Sequence, residues 1–217
     1  MLDLFKKFKA KRRYRKTLQE VSSPILANIE HISEKEFKEF FRWTVEASER
    51  SLRCILFMTP MMDFDRDITK EEIDFWLRRV SLVCMAYSYW CLMLVKQDSL
   101  PQNFLMVGVP LLSFWKKISD YYKQVFGEEL NQKDIDYYAA GYKEDVKMGY
   151  SKTENHKKTS ETCRRDSETI GTELFKKIWG EDSTEENYNK RIIIGGRIWQ
   201  AHAQLVRPCL MKMNTGW

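Results

Sequence analysis

The sequence predicts an all-α protein, a single bundle of six to eight helices with a basic amphipathic N-terminal arm. Three observations carry that expectation. Only 9 Gly and 5 Pro occur in 217 residues, too few for a loop-rich β-sandwich. Apolar residues recur at three- and four-residue spacing behind helix-capping signals. No stretch of four or more residues alternates cleanly, as a half-buried strand would. Twelve Phe, ten Tyr and seven Trp also bury too much surface for a disordered chain.

The elements follow in order. In residues 1–18 Leu2, Phe5 and Phe8 fall at helical spacing with Leu4 beside them, among basic residues. Ser22-Ser23-Pro24 is suited to cap a short helix through Ile25, Leu26 and Ile29, with proline at its first position. Ser33 and Glu36 form a capping box before Phe37, Phe40, Phe41, Thr44, Ser48, Leu52 and Ile55, a run that Pro60 stops. A second capping box, Thr69 with Glu72, opens a long helix through Ile73, Trp76, Leu77 and Val80 to Val95.

Pro110 is placed to begin the next helix, which carries Phe114, Trp115, Ile118, Tyr122 and Val125 and stops at Gly127. Asn131 caps a helix with Ile135, Tyr138, Ala139, Tyr142 and Val146. Ser183 and Glu186 make a third box before a final helix to about Arg207, ahead of Pro208. Within it, Ile192 to Trp199 surrounds Gly195-Gly196, which reads either as a short hairpin or as a helix admitting a close neighbour; the helical spacing of Ile194, Ile198 and His202 favours the helix.

Residues 151–169 hold no large apolar side chain and suit either an exposed helix, with pairs Glu154–Lys158 and Glu161–Arg165, or a linker. The expected organisation is therefore an arm (1–18), a main bundle (19–150), the polar stretch (151–169), and a C-terminal helical pair (170–217). A piece that small does not hold its own core, so it docks on the bundle.

Charge is concentrated at one end. Residues 1–16 contain Lys6, Lys7, Lys9, Lys11, Arg12, Arg13, Arg15 and Lys16 against the single acid Asp3, a net of +7; the remaining 28 basic and 30 acidic residues net −2. The overall +5 is a property of the arm, and the body is near neutral. The five cysteines, Cys54, Cys84, Cys91, Cys163 and Cys209, form no CxxC pair, which excludes a zinc ribbon or thioredoxin-like motif. With no apolar signal segment, the expectation is a reduced cytoplasmic chain, peripheral at most to the inner face of a membrane.

Four features bear on chemistry. The eight cations of the arm suit an anionic surface, either a membrane face with Leu2, Leu4, Phe5 and Phe8 as the apolar edge, or the phosphates of a nucleic acid. The uncharged runs within 80–115 suit a buried core helix; a membrane hairpin is the alternative, though the sixteen residues of the first run reach only about 24 Å against a ~30 Å hydrocarbon layer. Asp63, Asp65 and Asp67 imitate an EF-hand loop, but Ile68 stands where that loop requires Gly, so no metal site is expected. No phosphate-binding loop, dinucleotide fingerprint, nucleophile elbow or zincin motif occurs, and no cofactor is implied.

One spacing carries a resemblance. Arg197-Ile198-Trp199-Gln200-Ala201-His202 is similar to the Arg-x4-His motif of HEPN-type helical ribonucleases, with Ile198 where that family has a polar residue. The resemblance implies His202 in proton transfer at a ribose 2′-OH and Arg197 stabilising the phosphate. The leading expectation remains non-catalytic: an interaction or assembly subunit that binds protein partners, with exposed members of Trp43, Trp115, Trp179 and Trp199 as anchors.

Overall fold

Every residue from Val80 to Ser88 is buried, so the helix that contains them is enclosed on all sides. That helix, α3 (Lys70–Gln97), is the axis of an all-helical bundle. Its companions are α1 (Leu2–Glu30), α2 (Lys35–Met58), α4 (Phe104–Phe126), α5 (Gln132–Tyr138), α6 (Ala140–Met148), α7 (Asn155–Trp179), α8 (Tyr188–Ala201) and α9 (Arg207–Lys212). A π-helical turn, His202–Val206, joins α8 to α9. Counting α8, that turn and α9 as one rod, the described residues form eight helices and no strand, as the sequence predicts. The computed structural model describes residues 2–58, 68–97, 104–148, 155–180 and 188–213, with the side chains of 2–8, 57–58, 94–97, 104–111, 146, 148, 155–160, 163 and 179 outside the description.

Several predicted caps are present. Thr69 and Glu72 make a reciprocal capping box, at 2.9 Å and 3.2 Å. Asn131 Oδ1 accepts from the Lys133 N–H at 2.9 Å. Gly127 ends α4 at a φ of 72°, in the left-handed region. The Ser183–Glu186 box and the acidic loop at 63–67 lie outside the described residues; Asp74, at the loop's twelfth position, pairs instead with Arg78 at 2.9 Å.

Other boundaries move. Ser22-Ser23-Pro24 starts no helix: α1 runs through it, with both serine hydroxyls turned back to the Gln19 carbonyl. Tyr14, Leu18, Val21, Ile25 and Ile29 form one buried stripe along α1, and its burial outweighs the lost N–H of the exposed Pro24. Helix α2 starts at Lys35, because Glu34 reaches across to Lys117 and Tyr121 of α4 and Ser33 also meets Tyr121. Helix α4 begins at Phe104, so Pro110 lies inside it.

The helix predicted after Asn131 breaks at Ala139, φ −122° and ψ 39°. Asp166 of α7 causes the break by capping α6 from outside: its Oδ1 accepts the Gly141 N–H at 2.8 Å. Helix α7 runs without a break from Asn155 through the rest of the polar stretch, 151–154 lying outside the described residues, and its Thr162, Asp166 and Ser167 are buried. Pro208 does not end the last helix, since a π turn precedes it and the Arg207 N–H reaches back to the His202 carbonyl. Such a wide turn accommodates a ring that an ideal α-helix would drive into the preceding carbonyl.

Gly195-Gly196 lies within a helix rather than a hairpin. A Cβ on Gly195 would stand 1.8 Å from the Ser167 carbonyl oxygen, and one on Gly171 would stand 1.9 Å from that of Arg191. Backbone therefore meets backbone where α7 crosses α8, the close neighbour that the glycines foretell. The first arm of the 80–115 membrane hairpin is core instead, with Val80–Leu92 almost wholly buried among other helices; residues 98–103 lie outside the described residues, among which no helix is long and apolar enough to cross a membrane.

Candidate functional site

The first half of α1 carries the densest run of like charge in the sequence. No acid occurs between Asp3 and Glu20, and Lys9, Lys11, Arg12, Arg13, Arg15 and Lys16 are all exposed. Helical spacing aligns Lys9, Arg12, Arg13 and Lys16 on the side away from Tyr14 and Leu18, which are 5% and 1% exposed. Lys11 stands one heptad before Leu18, on the core side of the helix, and is nevertheless exposed. Ala10, one turn before Tyr14, still packs partly buried against the core, and the helical backbone of α1 extends beyond it to Leu2. Lys16 pairs with Glu20 at 3.7 Å, an exposed contact worth little in water. For Lys6, Lys7, Leu2, Leu4, Phe5 and Phe8 the backbone is helical and the side chains lie outside the description.

The ribonuclease pair is not assembled. His202 is 2% exposed, packed edge-on against Tyr87, with Nε2 3.0 Å from the Ser88 hydroxyl. That hydroxyl spends its proton on the Cys84 carbonyl at 2.8 Å, so the ring donates from Nε2 and is the neutral tautomer. Burial, helped by the positive charge of Arg207, pushes the imidazole down to about 3. Arg197 is exposed and bonds Gln200 at 3.3 Å. The pair therefore faces two environments, solvent and core, and the buried imidazole offers no substrate a proton acceptor.

His202 instead ends a polar seam through the core. Thr44, Ser48 and Ser51 back-bond along α2, Ser81 of α3 donates to Ser48 at 3.0 Å, and Ser88 carries the line to the π turn. Cys84 lies in the same seam, and burial pushes its thiol up to about 12, which makes it inert. Among the described residues no group of three His, Cys, Asp or Glu is placed to hold a metal ion.

Two features escape sequence reasoning. One is Asp166, 1% exposed, whose carboxyl is pushed up to about 7 by burial and the nearby Asp145, against the N–H bonds from Gly141 and Tyr142. The other is a groove of about 510 Å³ between the start of α2 and the π turn with α9. Trp43, Leu205, Pro208, Cys209 and Met213 supply its apolar surface, and Glu36 and Glu39 stand with Lys35 and Lys212 around it. Trp43 is 40% exposed, whereas Trp115 is buried and Trp199 is half-buried with its Nε1 on Tyr142. The sequence offered Trp43 as one of four tryptophan anchors, of which the Trp179 side chain lies outside the description, but gave no sign of the groove, which α9 forms by continuing past Pro208. No family model matches the chain, and neither the curated proteins nor the solved structures include a match to it.

Proposed function

We propose that this chain is a non-catalytic interaction or assembly subunit whose cationic face on α1 contacts an anionic surface, a membrane face or a nucleic acid. One observation carries the reading: Lys9, Arg12, Arg13 and Lys16 stand exposed in a row on a helix whose other side is anchored in the core. A rigid row of cations loses little conformational freedom on meeting phosphates, and opposing charge steers the encounter. The protein partner of such a subunit is best served by the groove beside Trp43, a large ring at the edge of an apolar hollow.

The test is binding of the full chain to anionic vesicles and to a homopolymeric RNA across a salt series. The wild type binds at least one of them at low salt. Replacing Lys9, Arg12, Arg13 and Lys16 together by Gln weakens that binding about fivefold per charge and flattens its salt dependence. Equal binding by the two proteins removes the reading.

A further inference from the structure

The reading above leaves two anionic surfaces open, and we infer that the one α1 serves is an anionic lipid bilayer, engaged obliquely through the first turns of the helix rather than along its length. The inference rests on that reading and adds two observations to it. From Tyr14 onward the apolar stripe of α1 is committed to the protein core, so this helix cannot lie flat with an apolar face in the headgroups. Ala10 also packs against the core, so what remains is the segment before it, where Leu2, Leu4, Phe5 and Phe8 occupy four of seven consecutive positions.

Helical register sets positions 2, 5, 9, 12 and 16 on one line of α1. Along it the residues run Leu2, Phe5, Lys9, Arg12, Lys16, apolar first and cationic behind. The first turns, from Leu2 to Phe8, cover about 9 Å of helix at 1.5 Å per residue. That matches the roughly 5–10 Å to which interfacial side chains enter a bilayer, and it brings the next turns to phosphate level. Nucleic-acid phosphates would be served by the cations but not by the apolar cluster. Base stacking would call on Phe5 and Phe8 alone, whereas Leu2 and Leu4 offer a base no aromatic face.

The experiment uses the full chain with phosphatidylcholine vesicles, phosphatidylcholine–phosphatidylserine vesicles and a uridine homopolymer across a salt series. Three proteins are compared: wild type, the four-Gln protein, and Phe5→Ser with Phe8→Ser. The wild type is expected on the phosphatidylserine vesicles with a fraction that resists salt. The serine pair lowers that affinity more than tenfold and leaves any RNA binding unchanged.

Unchanged vesicle binding by the serine pair, or wild-type preference for RNA, overturns the lipid assignment while the anionic-surface reading stands. Binding to neither probe overturns both. Should the serine pair melt below the wild type, Phe5→Trp with Phe8→Trp decides. Retained vesicle affinity and a blue-shifted emission on adding vesicles uphold the assignment, and an unshifted emission overturns it.

Discussion

At the scale of single residues, two buried titratable groups pull stability in opposite directions with pH. His202 is held neutral in the core, its folded-state value pushed down to about 3. Between that value and its ordinary 6.5 the unfolded chain binds more protons than the native one, so this group makes stability rise with pH, by up to about 1.4 kcal/mol per unit. Asp166 is the reverse: its carboxyl is pushed from 3.8 up to about 7, the native state binds more protons in between, and stability falls as pH rises. The two slopes nearly cancel between pH 4 and 6.5. Denaturant melts across that range test this. Asp166→Asn, which keeps the acceptor for the Gly141 N–H, exposes a slope that rises with pH relative to wild type. His202→Phe exposes one that falls. Parallel profiles for all three proteins would contradict the assigned burial of both groups.

Among the elements, the crossing of α7 and α8 is the most exacting contact. Gly171→Ala and Gly195→Ala each drive a methyl into a carbonyl of the other helix and are expected to cost about 2–4 kcal/mol. Gly196, next in the chain, has nothing within 4 Å of its missing Cβ, so Gly196→Ala is expected to stabilise by roughly 0.5–1 kcal/mol through helix propensity. Thermal melts of the three variants give the ordering, and equal effects at 195 and 196 would refute the backbone contact. Helix α1 divides in the same way. Leu18→Ala leaves a hole in the core and is expected to cost ~2–5 kcal/mol, whereas Arg12→Ala changes stability by less than about 0.5 kcal/mol. A Leu18→Ala protein as stable as wild type would detach the arm from the bundle.

For the whole molecule, one hydrophobic cluster takes residues from α1 through α9, and α7 carries the polar stretch into the C-terminal helices without interruption. Denaturant unfolding is therefore expected as a single transition, coincident by far-UV circular dichroism and tryptophan fluorescence; two separated transitions would divide the C-terminal helices from the rest. The helical class, the Thr69 and Asn131 caps, the Gly127 stop and the enclosed α3 were all legible in the chain, because each depends on neighbours within about one helical turn. The cationic row was legible too, since charge and spacing are local. Pro24 and Pro208 misled for one reason: a proline states only a local penalty of about 3 kcal/mol, which burial of Val21 and Ile25 outweighs in the first case and a π turn relieves in the second. The split of α5 from α6 by Asp166, the groove beside Trp43 and the separation of Arg197 from His202 depended on distant helices meeting. By itself the sequence determined which segments coil and where charge gathers, through short-range periodicity and capping. Only the tertiary structure decided which polar groups lose water, because burial belongs to the packed whole and not to any one segment.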